Sequence, residues 1–398
     1  MNYHEAIEWL ESRHLFGIKL GLQNITALLD AMGNPQRQFR SIHIAGTNGK
    51  GSTGAMLERL LRCHTKRVGF NSSPHLEDFR ERIRVAGEDI SPALVADTLT
   101  RIRPLAEAAN ATFFEIATAL AFDIFAQEGC EWAVIETGMG GRLDATNVIL
   151  PEVSVITPIG LDHAKHLGDT LAAIAREKAG IIKPSRSVIS AQQSPEAVKV
   201  LRTTAHQAKA PLHFVETPYN GRLALEGLHQ HWNAALALAA LEAINLVPSP
   251  TETAKALLDV RWRGRFQRLG ERWILDGTHN AHGAAALVAT WRAAYGELRV
   301  PVVFGCLADK DYVDVLRLLS SIASSMHYVP VANERALPPA AFAEILPGTV
   351  HGSLREAIES LAKKTNGDLE IPSTPILITG SLYLIGEALG ILKVPGSF

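Results

Sequence analysis

The chain has 398 residues, 47% of them hydrophobic, which is enough for two domains of ordinary size, each with its own core. Lys and Arg total 39 against 41 Asp and Glu, so the net charge of -2 offers no broad basic field to nucleic acid or a membrane surface. The three cysteines, Cys63, Cys130 and Cys306, show neither zinc-site spacing nor an even disulfide framework, which fits a reducing cytoplasm. Met1 to Leu20 carries Glu5, Glu8, Glu11 and Arg13 rather than the apolar centre of a signal peptide. The longest uncharged apolar run, around Ala234 to Leu241, is far short of the ~20 residues of a membrane helix, so a soluble protein is expected.

Short β-rich runs alternate with helical patterns along the chain, as in βαβ units of a mostly parallel sheet. Ser41–Ala45 predicts the first strand, followed by a helix over Thr53–Cys63 with Met56, Leu57, Leu60 and Leu61 on one face. Val68–Phe70, Trp132–Ile135 and Val153–Thr157 predict further strands, and Leu171–Gly180 a helix. Pro248-Ser-Pro250 precedes one last short helix, and Arg261-Trp-Arg-Gly-Arg265 reads as a hinge, which puts the domains at 1–262 and 263–398. Beyond it, Trp273–Leu275, Val300–Phe304, Tyr328–Val331 and Ile376–Thr379 predict strands that again alternate with helices.

Between the first strand and the first helix stand Gly46, Thr47, Asn48, Gly49, Lys50, Gly51, Ser52 and Thr53. A strand, a glycine-rich loop and a helix in that order are what a phosphate site demands. Glycines let backbone N–H groups approach phosphates, the helix N-terminus adds partial positive charge, and Lys50 can reach the terminal phosphates. Ser52 or Thr53 could ligate magnesium. The general Walker pattern would place glycine at Ile44 and a hydroxyl directly after Lys50, so this loop is a variant. The fold class is therefore read as α/β, with a P-loop nucleotide-binding N-terminal domain on a mostly parallel sheet and a smaller Rossmann-like C-terminal domain.

From that loop onward the sequence resembles the folylpolyglutamate synthase and dihydrofolate synthase family, within the Mur ligase superfamily. The match runs through Gly46–Ser52, Ser72-Ser-Pro-His75 with Glu81-Arg-Ile83, Glu136–Asn147, Leu161-Asp-His163, Lys178–Lys183, Gly264-Arg265, Asp276-Gly-Thr-His-Asn280 and Gly380–Gly386. It covers nearly the whole chain in the family's order.

The resemblance implies ATP and magnesium, two ions in number, with Ser52, Ser73, Glu136, His163 and a carbamylated Lys178 as ligands. Read as residues alone, Glu136 and His163 follow predicted strands and should project beside the phosphate loop. From sequence position alone, His163 reads as an ordinary loop histidine and Lys178, beside Glu177, as an exposed helix lysine; the ligand roles come from the resemblance. Asp144, in the glycine-dense loop Gly138–Asp144, is implied as a pterin contact, since a carboxylate can accept two parallel N–H bonds from the ring edge. Arg82 and Phe114 are implied as substrate residues, Phe114 as a stacking surface, although core packing is open to it. Asn233 is implied as an adenine contact or, from its position alone, is a first-turn helix residue. Arg265, Asp276 and His279 are implied to complete the ATP site. Lys50, Lys178 and His163 are then the catalytic candidates.

The implied reaction is ATP-dependent ligation of L-glutamate to dihydropteroate or a reduced folate through an acyl phosphate. Gly141-Arg-Leu-Asp144 is similar to the bifunctional form that accepts dihydropteroate. A monomer in the cytoplasm, with small-molecule substrates and no nucleic-acid or membrane partner, is expected. A Mur-type cell-wall ligase and a P-loop nucleotide switch stay open as alternatives.

Overall fold

The computed structural model of the chain describes residues 1–16, 21–363 and 374–392; residues 17–20 of the charged N-terminal stretch lie outside them. The chain divides into two compact units, Met1–Ala224 with Gln230–Val260, and Leu225–His229 with Arg261–Phe398. Nothing in the sequence around Leu225–His229 marks it as part of the second unit.

The first unit is organised on an eight-stranded sheet of β1 (Arg40–Ala45), β2 (Val68–Asn71), β3 (Ile83–Val85), β4 (Glu88–Asp89), β5 (Trp132–Glu136), β6 (Val153–Ile156), β7 (Ser187–Ser190) and β8 (Leu212–Phe214). Their order is β4-β3-β2-β5-β1-β6-β7-β8; β3 and β4 run antiparallel and the rest are parallel. β1 is buried on both faces, which is why Ile42, His43, Ile44 and Ala45 show no alternation of polarity. Ile44 lies opposite Glu136 and Ala45 opposite Ile156, so the loops after β1, β5 and β6 leave the sheet side by side. β2 pairs with β5, and the chain departs from β1 to opposite sides of it, the crevice position of doubly wound sheets.

Helices Pro92–Ala108 and Phe113–Gln127 cover one face, where Leu99, Ile116, Phe122 and Phe125 pack with Leu10, Ile25 and Ile135. Thr112 and Glu115 form a capping box at the start of the second of these helices, so its N-terminal backbone is satisfied although buried. Helices Leu171–Ala179 and Pro195–Gln207 continue the cover of that same face toward β7 and β8, with Ile156, Ile181, Val188 and Leu201 in the core beneath them, and the helix Lys50–Leu61 packs on the opposite face against Ile44 and Phe70.

The second unit has a six-stranded sheet of β9 (Gln267–Leu269), β10 (Trp273–Asp276), β11 (Val300–Phe304), β12 (Ala323–Tyr328), β13 (Thr349–Val350) and β14 (Ile376–Thr379). The order is β13-β12-β11-β14-β10-β9, parallel except for β9. Trp291, Phe304, Tyr328 and Phe342 fill its core. The strand expected at Tyr328–Val331 lies instead at Ala323–Tyr328. Pro330 lacks an N–H and cannot extend the ladder, whereas the polar Ser324 and Ser325 are simply exposed along the strand.

Candidate active site

β1 ends at Ala45, and Gly46–Gly49 turns the chain into the helix Lys50–Leu61. Gly49, the N-cap, has φ 87°, and a Cβ there would come within 2.6 Å of Asn233 Oδ1, so both backbone and space require glycine. No side chain caps this helix, which leaves its first N–H groups to an anion. Lys50 Nζ donates to Thr47 O at 3.5 Å and stands 3.8 Å from Glu136 Oε1, at the end of the neighbouring strand β5.

The phosphate loop is fastened to the segment after β6. Thr47 N donates to Pro158 O at 2.9 Å, and Thr47 Oγ1 exchanges two 3.0 Å hydrogen bonds with the N–H and carbonyl of Gly160. Gln193 holds the same segment, accepting from Ile159 N at 2.9 Å and donating to Thr157 O at 3.1 Å. The segment leads to His163, whose backbone sits at φ 53°, a left-handed conformation uncommon for a residue with a Cβ. Its N–H donates to Asp162 Oδ1 at 2.8 Å.

Lys178 is not the exposed helix lysine that its sequence position allows. It is 4% exposed, on the same face of the helix Leu171–Ala179 as Ile174, and Nζ donates to Gly46 O at 2.7 Å. Burial lowers its pKa to about 7; the charge of Lys50 acts in the same sense, while Asp162 and Asp144 oppose.

A divalent cation can be tested against the side chains at this edge. Glu136 is a carboxylate 4% exposed, Ser52 a hydroxyl 2% exposed, and Ser73 follows β2 by two residues. Among the described residues no three of His, Cys, Asp and Glu gather as a metal cluster. One carboxylate and hydroxyl oxygens fit a hard ion that keeps several waters, as magnesium does, and do not fit a thiophilic one. His163 is the least suited of the expected ligands.

The loop after β5 is held from within. Asp144 accepts from Met139 N at 2.8 Å, from Thr146 N at 3.0 Å and from Thr146 Oγ1 at 2.5 Å, and caps the 3₁₀ turn Ala145–Val148. Burial pushes its pKa up, and these donors pull it back. Arg142 joins Glu177 through backbone and side chain, which docks the loop on the helix carrying Lys178. Phe114, partly buried at the edge of the core, presses its ring on Gly138; a Cβ at that glycine would lie 2.5 Å from Cζ.

Arg82 follows from a different cluster. Its Nε donates to His75 Nδ1 at 2.8 Å, and its guanidinium lies 5.3 Å from the centre of the Phe113 ring, which stacks on His14. Burial, then the charge of Arg82, lowers the His75 pKa to about 4, so His75 is a neutral acceptor near pH 7. His75 was expected only as part of the Ser72-Ser-Pro-His75 match, without a role of its own. Asn233 is six residues into the helix Leu228–Glu242 rather than in its first turn's exposed edge; it is 3% exposed, and its Nδ2 donates to buried Gln230 Oε1 at 2.9 Å.

In the second unit, Asp276 ends β10 and accepts from Phe266 N at 2.9 Å and Thr278 N at 3.0 Å. His279 Nδ1 is 2.9 Å from Gly277 O, and Arg265 donates to Gly264 O at 3.0 Å. His229, which sequence reasoning did not assign, belongs to this group: burial lowers its pKa, with Asp276 opposing and Arg265 reinforcing.

The Mur ligase middle domain matches residues 44–214, and the Mur ligase glutamate ligase domain matches residues 264–382. A dihydrofolate synthase/folylpolyglutamate synthase of Bacillus subtilis is 34% identical over 97% of this chain and 98% of its own. The structure of Mycobacterium tuberculosis folylpolyglutamate synthase complexed with ADP and AMPPCP superposes with a TM-score of 0.90, at 33% identity over 99% of both chains. That of a bifunctional folylpolyglutamate synthase/dihydrofolate synthase from Yersinia pestis, complexed with AMPPNP and a Mn ion, gives 0.89 at 28% identity, covering 99% of this chain and 98% of that one. With identity above three in ten over nearly the full length of both proteins, two matching ligase domains and the fold in common, the chain belongs to the dihydrofolate synthase/folylpolyglutamate synthase family of ATP-dependent, amide-forming Mur ligases.

Proposed function

We propose that this ligase activates the carboxylate of dihydropteroate, or the γ-carboxylate of a reduced folate, as an acyl phosphate and joins it to the α-amine of L-glutamate. The observation that carries the reading is Lys50 Nζ at 3.8 Å from Glu136 Oε1, a cation on the first residue of an uncapped helix beside a buried carboxylate at the end of β5. A carboxylate resists attack by an amine because its carbonyl carbon is electron-rich and oxide is a poor leaving group. In the first step an acceptor oxygen bonds to the γ-phosphorus of ATP, the bond to the bridging oxygen breaks, and ADP leaves. Lys50 and the first N–H groups of its helix offset charge on the transferred group. The glutamate amine then adds to the acyl carbon, loses a proton, and the C–O bond breaks to release inorganic phosphate.

Ser52, Ser73 and Glu136 would hold magnesium, with His163 and a carbamylated Lys178 completing two sites; the ion would supply charge neutralisation at the transferred phosphoryl. Gly138–Asp144, Phe114 and Arg82 are assigned to the pteroyl group and Asn233 to adenine. Arg265, Asp276 and His279 are assigned to nucleotide binding on their motif. The net charge of -2 and three free cysteines support a cytoplasmic setting without nucleic acid, and we take the active form as a monomer.

Purified enzyme given ATP and glutamate with either dihydropteroate or a reduced folate tests this. ADP should form stoichiometrically with amide product, and both acceptors should support turnover. Sustained ADP release with neither acceptor nor glutamate present, and no amide formed when both are, would point to a nucleotide switch and overturn the ligase mechanism; turnover with one acceptor alone would remove dual specificity.

A further inference from the structure

His43 lies in the middle of β1, opposite Ile135 of β5 and Ser154 of β6, and is wholly buried. An imidazole at the centre of a parallel sheet is costly unless it is neutral and hydrogen-bonded. Its Nε2 is 2.8 Å from Thr146 Oγ1, while its Nδ1 is buried with no hydrogen-bond partner among the described residues.

These contacts decide the tautomer. The Thr146 hydroxyl has one proton, and it lies 2.5 Å from Asp144 Oδ1, a carboxylate that accepts two further backbone N–H bonds. Burial raises the Asp144 pKa, but both of its oxygens accept backbone N–H groups, from Met139 and Thr146, which favours the ionised form; as a carboxylate it has no proton to return, so Thr146 donates to Asp144 and accepts from His43 Nε2–H. The opposite arrangement would strand an N–H at Nδ1 in an apolar interior, whereas this one leaves only an unused lone pair there. Burial holds the His43 pKa down to about 3, and the charge of Lys183 acts in the same sense, so the ring stays neutral throughout the working range.

We infer that His43 is a positioning residue for the reaction: fixed as the Nε2–H tautomer, it donates to Thr146, which donates to Asp144 and so sets the carboxylate that anchors the loop Gly138–Asp144. The inference rests on the assignment of that loop to the pteroyl substrate. Asp144 takes Met139 N on its other oxygen, and the loop so held places Gly138 against Phe114. The sheet interior is thereby connected to the acceptor site by two side-chain hydrogen bonds of one polarity.

Full-length protein with ¹⁵N-labelled histidine gives the direct readout. His43 should show a protonated Nε2 and a bare Nδ1, unchanged from about pH 5 to 8, and Thr146→Val should shift the Nε2–H signal. In kinetics, Thr146→Val and His43→Phe should each raise KM for dihydropteroate about tenfold, with KM for ATP within about twofold, and Thr146→Ser should restore it. An Nδ1–H tautomer, a ring that titrates in that range, or a Thr146→Ser enzyme as impaired as Thr146→Val would overturn the relay. Should His43→Phe not fold, the wild-type spectrum and the Thr146 pair still decide. Asp144→Ala separates the two levels. If it leaves KM for dihydropteroate unchanged, the loop assignment fails; if it raises KM while Thr146→Val does not, the relay alone fails.

Discussion

Lys178 carries the sharpest prediction because its chemistry depends on its protonation. Carbamylation requires the free amine: the Nζ lone pair bonds to the carbon of dissolved CO₂, one N–H proton passes to solvent, and the negative charge rests on the two new oxygens. An unperturbed lysine near 10.4 would be amine in only about one part in a thousand at pH 7.5. Lowered to about 7 by burial and by Lys50, Lys178 would be about three-quarters amine at that pH. The gain in reactive form is therefore several hundredfold, on the order of 3–4 kcal/mol. The carbamate nitrogen keeps one hydrogen, so the 2.7 Å bond to Gly46 O can survive the modification. Because the folded value is depressed, amine and hence carbamate should be lost as pH falls through about 7 at fixed dissolved CO₂, and gained above it. Wild-type enzyme equilibrated with ¹³C-bicarbonate should show one carbamate signal with that pH dependence. Lys178→Ala should lack it and lose about two orders of magnitude in kcat, and formate or acetate should restore part of the loss by supplying a carboxylate. A fully active Lys178→Ala enzyme, or an active wild type without the signal, would refute the reasoning.

Lys50→Ala should leave circular dichroism unchanged and lower kcat by at least about a hundredfold at saturating ATP, since a lysine on the transferred phosphoryl contributes about 3 kcal/mol or more in the transition state; near-normal turnover would end the phosphate-loop assignment. Gly138→Ala puts a Cβ 2.5 Å from the Phe114 ring, so the ring or the loop must shift, and KM for dihydropteroate should rise about tenfold with KM for ATP little changed. Phe114→Leu should partly relieve it, and unaltered KM values would mean that the contact plays no part in binding. The buried His43, with a folded pKa of about 3 below an unfolded ~6.5, binds fewer protons folded than unfolded across that window, so stability should fall as pH drops through it, by up to ~1.4 kcal/mol per pH unit. Urea midpoints at about pH 8 and 5 should therefore converge in a folded His43→Phe enzyme; an unchanged acid loss in that variant would assign it elsewhere.

The strand, glycine-rich turn and helix around Gly46–Lys50 were legible because their geometry needs only local backbone, which the glycines and the apolar spacing of the helix announce. The mostly parallel character of the sheet followed from alternating strands and helices, whereas the strand order around β1 did not. β3, β4, β7 and β8 were not legible: they span two to four residues, and Arg84, Glu88 and Asp89 interrupt any apolar run at the sheet's edge. Lys178 held a signal that charge concealed. Ile174, Ala175, Lys178 and Ala179 are the buried residues of its helix, so helical spacing puts the lysine in the apolar stripe, where an ammonium would not ordinarily be placed. His43 held none, because a strand buried on both faces has no pattern for a polar residue to break. Asp144 was expected as a ligand contact from the family resemblance, whereas its three internal bonds arise from Met139 and Thr146, whose roles depend on how the loop closes.

The two lysines at the phosphate edge come from one conflict between charge and burial. Lys50 is half-buried beside Glu136 and has a carboxylate to offset it, whereas Lys178 is almost fully enclosed and, among the described residues, donates from Nζ to the neutral carbonyl of Gly46. A second ammonium near the first is disfavoured twice, by desolvation and by like charge, so the pair is pushed toward one cation and one free amine. In the proposed mechanism that asymmetry divides their work: the cation would meet phosphate, and the amine would be available for conversion to an anion. Conversion would replace a repulsion between the two side chains by an attraction. The phosphate loop is also bonded through Thr47 to the segment that ends at His163, and through Gly46 to Lys178, so a displacement of the phosphates is felt at both. A Thr47→Val enzyme, which keeps the backbone bond to Pro158 and loses both bonds to Gly160, should therefore lose kcat and metal affinity together while KM for dihydropteroate holds. Loss confined to KM for ATP would mean that the threonine serves the nucleotide alone and that the two segments are independent.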